Sequence, residues 1–301
     1  MVKIDVVLLN YKQDGDTIDC IRSLLKSTYP ISIIYVVDNS EDVSALGGLL
    51  SEFKNVEYIP VLKNVGFAAG CNVGIKKFYD SDADMVLLLN NDTIVKDDFL
   101  EKLINGMALN NADVATGKIY YYSAKNVIWG AGGKMDWKRG MGVFYGNNAT
   151  DNSQFDMCRL VDFISGCMML ISRTAIDKAG MLNDKFFMYC EDVDFSIRAK
   201  KAGLKLIYVP DSVIWHKVGA KKITANPFFI YYFVRNSFFI IKQYGNLWQK
   251  TCYCLYSPIY YLVKIVLSPK GYLNNFKAFF VAIWDGIISN DGRKNYDFLK
   301  G

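Results

Sequence analysis

The stretch Met85–Thr93, MVLLLNNDT, constrains the fold of this chain more than any other. A short apolar run closed abruptly by polar turn formers reads as a strand covered on both faces, within a largely parallel sheet. In open α/β sheets ligands are met beyond the carboxyl ends of the strands, which is where Asp92 would stand. A carboxylate flanked by two amides, Asn90 and Asn91, suits a hard divalent cation such as Mg or Mn. Asp92 also reads as the cap of a following helix, because Asp97 and Asp98 favour a helix start.

The chain before this run repeats the same grammar. Val2–Leu9 is expected as a strand, Asp16–Leu25 as a helix, Ile31–Val37 as a second strand, Val43–Phe53 as a helix and Val56–Val61 as a short strand. The Gly-rich turn from Asn64 to Gly74 then leads into a helix through Tyr79. A β-α-β-α-β-α-β alternation implies a right-handed, doubly wound sheet. Several of its strands end in polar groups: Asn10 and Tyr11 after the first, Asp38 and Asn39 after the second, Asn64 after the third, Asp92 after the fourth. Each is an ordinary turn former when taken singly. Gathered at one sheet edge they describe a nucleotide pocket, with an aromatic to flank a base and a carboxylate to accept from a base N–H or a ribose hydroxyl. The small residues after Asn64 would let backbone approach a phosphate. No GxGxxG or P-loop is present, which disfavours a dinucleotide or NTPase site.

Residues 112–163 break the rhythm. Val114–Tyr122, Asn126–Trp129 and Gly140–Tyr145 read as strands around Gly130–Gly133, and Leu160–Phe163 precedes Ser165-Gly166-Cys167. A second, partly antiparallel sheet on the acceptor side is expected, with Trp129 and Trp137 either stacking on a sugar or simply packed. Beyond it, Glu191, Asp192 and Asp194 open a helix that runs to about Ala202, a placement the helix dipole favours by itself. Asp192 and Asp194 do not share a helical face, so one can point to a pocket while the other pairs with Arg198 at i+4. Leu204–Val209 is expected as a strand, and Pro210–His216 leads out of it. His216 is the single histidine of the chain. It reads as structural, or as the neutral imidazole that joins a carboxylate on a divalent ion.

Bulk properties bound the rest. Of 301 residues 51% are hydrophobic and 22% charged, which permits a sizeable core and excludes wholesale disorder. Seven scattered cysteines without a CxxC pair favour reduced thiols in a cytosolic protein. The start, MVKIDVVLLNY, reads as a strand and not as a signal peptide. From Lys217 onward twelve basic residues face three acids, a net +9, whereas residues 1–216 carry −4. This basic, aromatic tail matches no nucleic-acid motif, so no nucleic-acid partner is expected, and its apolar stretches suit a bilayer interface better. Ordinary core helices with a solvated basic face are the alternative. The nearest approach to a membrane span, Thr251–Val263, is interrupted by Pro258 and followed by Lys264.

The motifs VVLLNY (Val6–Tyr11), VVDNS (Val36–Ser40), NVGFAAGCNVGI (Asn64–Ile75), LLLNNDT (Leu87–Thr93), SGCMMLISR (Ser165–Arg173), FFMYCEDVDFSIRAKKAG (Phe186–Gly203) and Trp215-His216 resemble, in order and spacing, the family 2 glycosyltransferases of GT-A fold. Within them they resemble the rhamnosyltransferase and galactofuranosyltransferase-like branch. The tail's YYFVRNSFF (Tyr231–Phe239) is similar more loosely. The resemblance implies an α/β GT-A domain over residues 1–220, with a mostly parallel sheet and a smaller antiparallel one. Residues 221–301 would follow as a basic, aromatic helical region contacting a membrane surface or another copy of the chain.

By the same resemblance Asp38 would contact the base, with Asn10, Tyr11 and Asn39 nearby. Asn64, Gly66, Asn72, Asn90, Asn91 and Gly166 would shape the nucleotide-sugar pocket. Asp92 resembles the metal-binding aspartate of a DxD motif, joined by His216, and Asp192 resembles the catalytic base of an ED motif, with Glu191 beside it. Asn90 stands where that motif usually has its first aspartate. No QxxRW motif of processive synthases is present, which implies single additions. The implied chemistry is an inverting, divalent-cation-dependent transfer from a nucleotide-diphosphate sugar, dTDP-rhamnose first and UDP-sugars next. The acceptor would be a glycan or polyprenyl-diphosphate-linked hydroxyl at the cytoplasmic face of the membrane. A sugar nucleotidyltransferase would want a basic Gly-rich loop after the first strand, which LLNYKQDGD does not supply. A non-catalytic sugar-binding relative is the other alternative.

Overall fold

The computed structural model describes residues 1–42, 46–218, 226–267 and 272–299. Strands and helices alternate through the first ninety residues: β1 (Ile4–Asn10), α1 (Asp14–Leu24), β2 (Ile33–Asp38), α2 (Leu46–Leu50), β3 (Val56–Pro60), α3 (Phe67–Asp80) and β4 (Met85–Asn90). The expected start of the second helix, at residues 43–45, lies outside the described residues. There follow β5 (Thr93–Val95), α4 (Phe99–Leu109), β6 (Val114–Tyr121), β7 (Ala124–Gly130), β8 (Gly133–Asp136), β9 (Met141–Phe144), β10 (Arg159–Leu160), β11 (Met168–Ser172), α5 (Arg173–Ala179), α6 (Glu191–Lys201) and β12 (Leu206–His216). Three long helices close the chain, α7 (Pro227–Tyr244), α8 (Leu247–Val266) and α9 (Tyr272–Ile287). The expected junction at residues 220–221 also lies outside the described residues.

Ten strands form one sheet in the order β10-β12-β6-β11-β4-β1-β2-β3, with β5 on β12 and β7 on β6. The half β4-β1-β2-β3 is parallel, as is the long β6–β12 pair. Most of the paired length is therefore parallel. Alternation along β1 explains the two-sided cover. Ile4, Val6 and Leu8 pack with Ile21, Leu24, Phe99 and Leu103 on one face. Val7 packs with Ala68, Ile75, Phe78 and Phe195 on the other. At about 25 cal/mol per Å² of apolar area, each such fully buried side chain contributes roughly 1.5–3 kcal/mol before entropy is counted.

The structure corrects three local expectations and adds two short strands. Among the described residues, the separate small sheet is only the β8–β9 hairpin; β6, β7 and β10 join the main sheet. β11 inserts antiparallel between β4 and β6, and β5 pairs with β12; neither short strand carries a local pattern that announces it. Pro210–His216 does not leave its strand. β12 continues through it, the register shifting between Val209 and Val213 where Pro210 offers no N–H to the ladder. Finally, α8 runs through Pro258 without a break.

The C-terminal helices have their own capping logic. Asn226 Oδ1 accepts the Phe229 N–H at 2.7 Å with Pro227 in the first turn, and Asn246 and Gln249 form a reciprocal capping box. Their buried faces meet in a cluster of Tyr231, Tyr232, Tyr261, Ile265 and Phe279. A second cluster, with Phe163, Phe186, Val193 and Ile240, joins α7 to the start of α6.

Candidate active site

Sheet register brings the strand ends together. Asn10 is opposite Asp38, and Leu9 is opposite Asn90, so β1, β2 and β4 stop at one edge. Asn10 is buried and its amide organises that edge. Nδ2 donates to Asp38 Oδ1 at 3.1 Å and to Asp14 Oδ1 at 3.0 Å, while Oδ1 accepts from Thr17 Oγ1 at 3.0 Å and Asn91 Nδ2 at 3.3 Å. Asn91 Nδ2 also reaches Thr17 Oγ1 at 2.8 Å. Asp38 accepts in addition from the Ser40 N–H at 3.0 Å and the Tyr58 hydroxyl at 2.7 Å. Nothing local in the sequence marks Tyr58; as an alternating residue of an expected strand it carries no sign of reaching Asp38. Tyr11 stands beside this network, exposed, under the Lys12 ammonium.

The Gly-rich turn closes against the same edge. Asn64 Oδ1 accepts the Gly66 N–H at 3.0 Å, and Asn39 Nδ2 donates to the Gly66 carbonyl at 2.9 Å. Gly66 has φ +89, and a Cβ there would stand 2.2 Å from the Phe187 carbonyl oxygen, so only glycine fits. Asn72 lies on α3, and both ends of its amide are engaged by the Leu182 backbone, at 2.7 and 3.1 Å. It ties α3 to the segment before α6.

Asp92 and His216 meet because β5 pairs with β12. Thr93 lies opposite His216, and the Lys217 N–H donates to the Asp92 carbonyl at 2.8 Å. Lys217 Nζ in turn bridges Asp16 and Asp19 at 2.7 and 2.8 Å, closing the end of β12 over α1. His216 Nε2 is 3.0 Å from Asp92 Oδ1 and 3.4 Å from Asn90 Nδ2. Asp92 does not cap a helix, since α4 begins only at Phe99.

The fit of this pair to a cation can be tested on its geometry. Asp92 Oδ1 and His216 Nδ1 are buried and accept or donate no hydrogen bond, and the close Nε2–Oδ1 approach is itself not in hydrogen-bond alignment. Two donor atoms about 3 Å apart without a shared proton match neighbouring ligands of an octahedral ion at about 2.1 Å. Among the described residues no group of three His, Cys, Asp or Glu side chains is placed to hold a metal ion. A cation here would complete its shell with phosphate and water, the usual habit of Mg and Mn. Trp129 packs edge-on to the His216 ring at 4.8 Å and against Phe144 at 4.5 Å, and Trp137 is part of the cluster under α7.

The second acidic group starts α6. Asp194 is fully buried and bonded to Arg198 Nε at 2.7 Å and the Tyr244 hydroxyl at 2.6 Å, which spends it on structure. Asp192 faces the other way. Its Oδ2 accepts the Gly166 N–H at 3.2 Å and its Oδ1 accepts the Val193 N–H at 2.8 Å. Burial pushes its pKa up to about 6 despite those two backbone donors. Glu191 is buried with Oε2 unpartnered; burial, then the Asp192 charge, hold its pKa well above the ordinary carboxylate range.

Asp92 and Asp192 flank one short segment. Gly166 donates to Asp192, and the next carbonyl, of Cys167, accepts the Asn90 N–H at 3.0 Å. The Cys167 thiol is raised by burial and further by both Asp92 and Asp192. All seven cysteines are thiols.

Comparison with known proteins supplies the family and the fold. Residues 5–180 match the sequence profile described as "Glycosyl transferase family 2". Over 97% of this chain and 98% of its own length, the "dTDP-rhamnosyl transferase RfbF" of Shigella flexneri is 24% identical. The "Rhamnosyltransferase WbbL" of Escherichia coli K12 is 26% identical over 64% of this chain and 76% of its own. A crystal structure of GalNAc-T7 with UDP, GalNAc and Mn2+ superposes with a TM-score of 0.63 at 15% identity, covering 80% of this chain and 48% of that one. S. aureus TarS 1–349 superposes with a TM-score of 0.60 at 13% identity, covering 96% and 82%. Both likenesses speak to the GT-A fold, whereas the profile spans more than half of the sequence. The chain belongs to glycosyl transferase family 2.

Proposed function

We propose that this glycosyltransferase catalyses a single, inverting transfer of rhamnose from dTDP-rhamnose, aided by a divalent cation, to a hydroxyl of a glycan or polyprenyl-diphosphate-linked acceptor. The observation that carries the proposal is that the Asp92–His216 pair and Asp192 flank residues 165–167, beyond the strand ends that hold Asp38. Asp38, with Asn10 and Tyr11, would receive the base, and the Asn64–Gly66 turn the diphosphate. Asp92 and His216 would hold Mg or Mn, whose charge offsets that building on the departing nucleoside diphosphate. Asp192 takes the proton of the acceptor hydroxyl as its oxygen attacks the anomeric carbon from the face opposite the leaving group. The bond from that carbon to the diphosphate oxygen breaks with its electron pair leaving on the diphosphate, and one displacement inverts the configuration. The transition state is oxocarbenium-like, as in other glycosyl chemistry. The rhamnosyl donor is favoured over UDP-sugars by the full-length likeness to a dTDP-rhamnosyl transferase.

The test is a panel of nucleotide sugars with Mn, Mg or chelator, read by donor hydrolysis and thermal midpoint. dTDP-rhamnose with cation should give the largest midpoint rise and the fastest hydrolysis. No response to any nucleotide sugar, or full turnover by Asp192→Asn, overturns the proposal.

The acceptor reading adds a surface. On α8 the residues Trp248, Leu255, Ile259, Val263 and Val266 recur at helical spacing and are exposed, as are Leu273, Phe280, Trp284 and Ile287 on α9. Exposed Lys250, Lys264 and Lys277 lie on the same helices. No described helix is long and apolar enough to cross a membrane. Apolar stripes with lysines, in a segment of net +9, suit an anionic bilayer surface met in the plane of the interface. Flotation with anionic vesicles should carry the protein up, and Leu255→Asp/Trp284→Asp should leave it at the bottom. Failure to float, or dimerisation abolished by the same variant, overturns the bilayer as occupant.

A further inference from the structure

On α6 itself the turn that delivers Asp192 is held by backbone alone, the Asp194 N–H donating to the Cys190 carbonyl at 2.9 Å. Cys190, at the N-cap position, makes no side-chain hydrogen bond there. The turn is left-handed at two successive residues, Tyr189 (φ 68) and Cys190 (φ 69), a conformation that residues with a Cβ seldom adopt. The loop carrying this turn is gripped from two sides. From α3, the Phe67 N–H donates to the Phe187 carbonyl at 2.8 Å. From α7, the fully buried Asn236 donates its Nδ2 to two successive carbonyls, Met188 at 2.9 Å and Tyr189 at 2.8 Å. In an extended segment successive carbonyls point to opposite sides; here both face one amide.

Asn236 is in turn held by its neighbour. Its Oδ1 accepts from Arg235 Nε at 2.9 Å, and Arg235, itself fully buried, donates Nη1 to the Gly292 carbonyl at 2.7 Å. The YYFVRNSFF segment thus has a physical task that its position so far from the acidic helix in the sequence conceals.

We propose that Asn236 is a positioning residue for the transfer: by fixing the Met188 and Tyr189 carbonyls it maintains the left-handed turn, and so sets where the Asp192 carboxylate stands relative to Gly166. The proposal rests on the base role given to Asp192 above. Asn236→Asp is nearly isosteric and keeps an acceptor for Arg235, but it removes both donated bonds. With the nucleotide sugar that turns over fastest in the panel, N236D should lower kcat for donor hydrolysis tenfold or more, with the donor KM within twofold. Amide exchange over residues 188–193 should accelerate. Cys190→Gly placed on N236D should recover several-fold of the lost kcat, because glycine adopts the left-handed turn unaided. Tyr244→Phe, which removes the bond from α7 to Asp194 on α6, should keep kcat within twofold.

The outcomes separate. If Asp192→Asn abolishes turnover while N236D stays within twofold of wild type, the positioning role is wrong and the base role stands. If D192N turns over normally, the base role itself is wrong. Equal losses in kcat and donor affinity, or no recovery on adding C190G, also overturn the positioning role. Should N236D not fold, Asn236→Ser, which keeps one short donor, takes its place under the same criteria.

Discussion

The pH dependence of turnover follows from how Asp192 is buried. Its carboxyl is held at about 6, against an ordinary 3.8, by loss of water only partly offset by the Gly166 and Val193 N–H groups. A rise of about two units corresponds to about 3 kcal/mol between the two protonation states, as an order of magnitude. A general base must be ionised, so kcat should fall as pH drops through about 6, reaching roughly one tenth of its plateau at pH 5. Stability runs the other way: because the folded form holds this proton more tightly than the unfolded chain, the contribution is present below about pH 4 and is lost as pH rises through about 6. Glu191 supplies the control. Its carboxyl is raised by burial first and by the Asp192 charge second, and a neutral amide in its place leaves the burial that raises Asp192 unchanged. Glu191→Gln should therefore leave the acid limb within a few tenths of a unit. The assay is single-turnover hydrolysis or transfer from pH 4.5 to 8.5 at constant ionic strength, on both proteins. A flat profile between pH 7.5 and 5, or a limb displaced by a full unit in E191Q, refutes the reasoning.

The remaining predictions concern other parts of the site. Asp92→Asn should abolish the midpoint rise that Mn adds to donor binding while leaving the protein without ligand within a few degrees, read by thermal melts with and without cation. Gly66→Ala forces a Cβ against the Phe187 carbonyl from a left-handed backbone and should cost about 2 kcal/mol or more, measured by urea unfolding. Tyr58→Phe removes a bond to a buried carboxylate and should raise the donor KM about fivefold to tenfold, equivalent to about 1–1.5 kcal/mol, with kcat unchanged. E191Q, which cannot ionise, should gain stability over wild type as pH rises from about 4.5, seen as a widening gap between their thermal midpoints.

What could be read from the chain alone divides by the range of the interaction. The strands through β4, and the polar residue each presents at its end, were legible because the pattern is local: an apolar run, a turn former, then a helical period. The division of labour between Asp192 and Asp194 was legible for the same reason, since Arg198 lies one helical turn along. β5 and β11 were not. Three or five residues of strand have no signature until β12 and β4 are beside them, and pairing partners more than seventy residues away leave no trace in a local window. The same non-locality hid Tyr58 under Asp38 and Asn236 under Tyr189. It also made β12 look as though it ended at Pro210, when the bulge there is what carries the strand on to His216.

That extension explains why a three-residue strand matters so much. Without β5 on β12, the Asp92 and His216 side chains would be ends of two unrelated loops; with it, their backbones are fixed by the Thr93–His216 pairing and the Lys217–Asp92 bond. β11 does the corresponding work for Asp192, since it begins one residue after Cys167, whose carbonyl takes the Asn90 N–H and whose neighbour Gly166 takes the carboxylate. A Cβ on Gly166 would come within 2.9 Å of the Phe67 ring, at the first residue of the helix that the Gly66 turn launches. The three-residue segment 165–167 therefore stands between the Asp92–His216 pair, the acidic helix and the Gly-rich turn, and a displacement of any one reaches the other two through hard contacts and backbone bonds. The proposed inversion needs a leaving group and a base on opposite sides of one carbon, and the strands β4 and β11 that flank this segment hold the separation it would use.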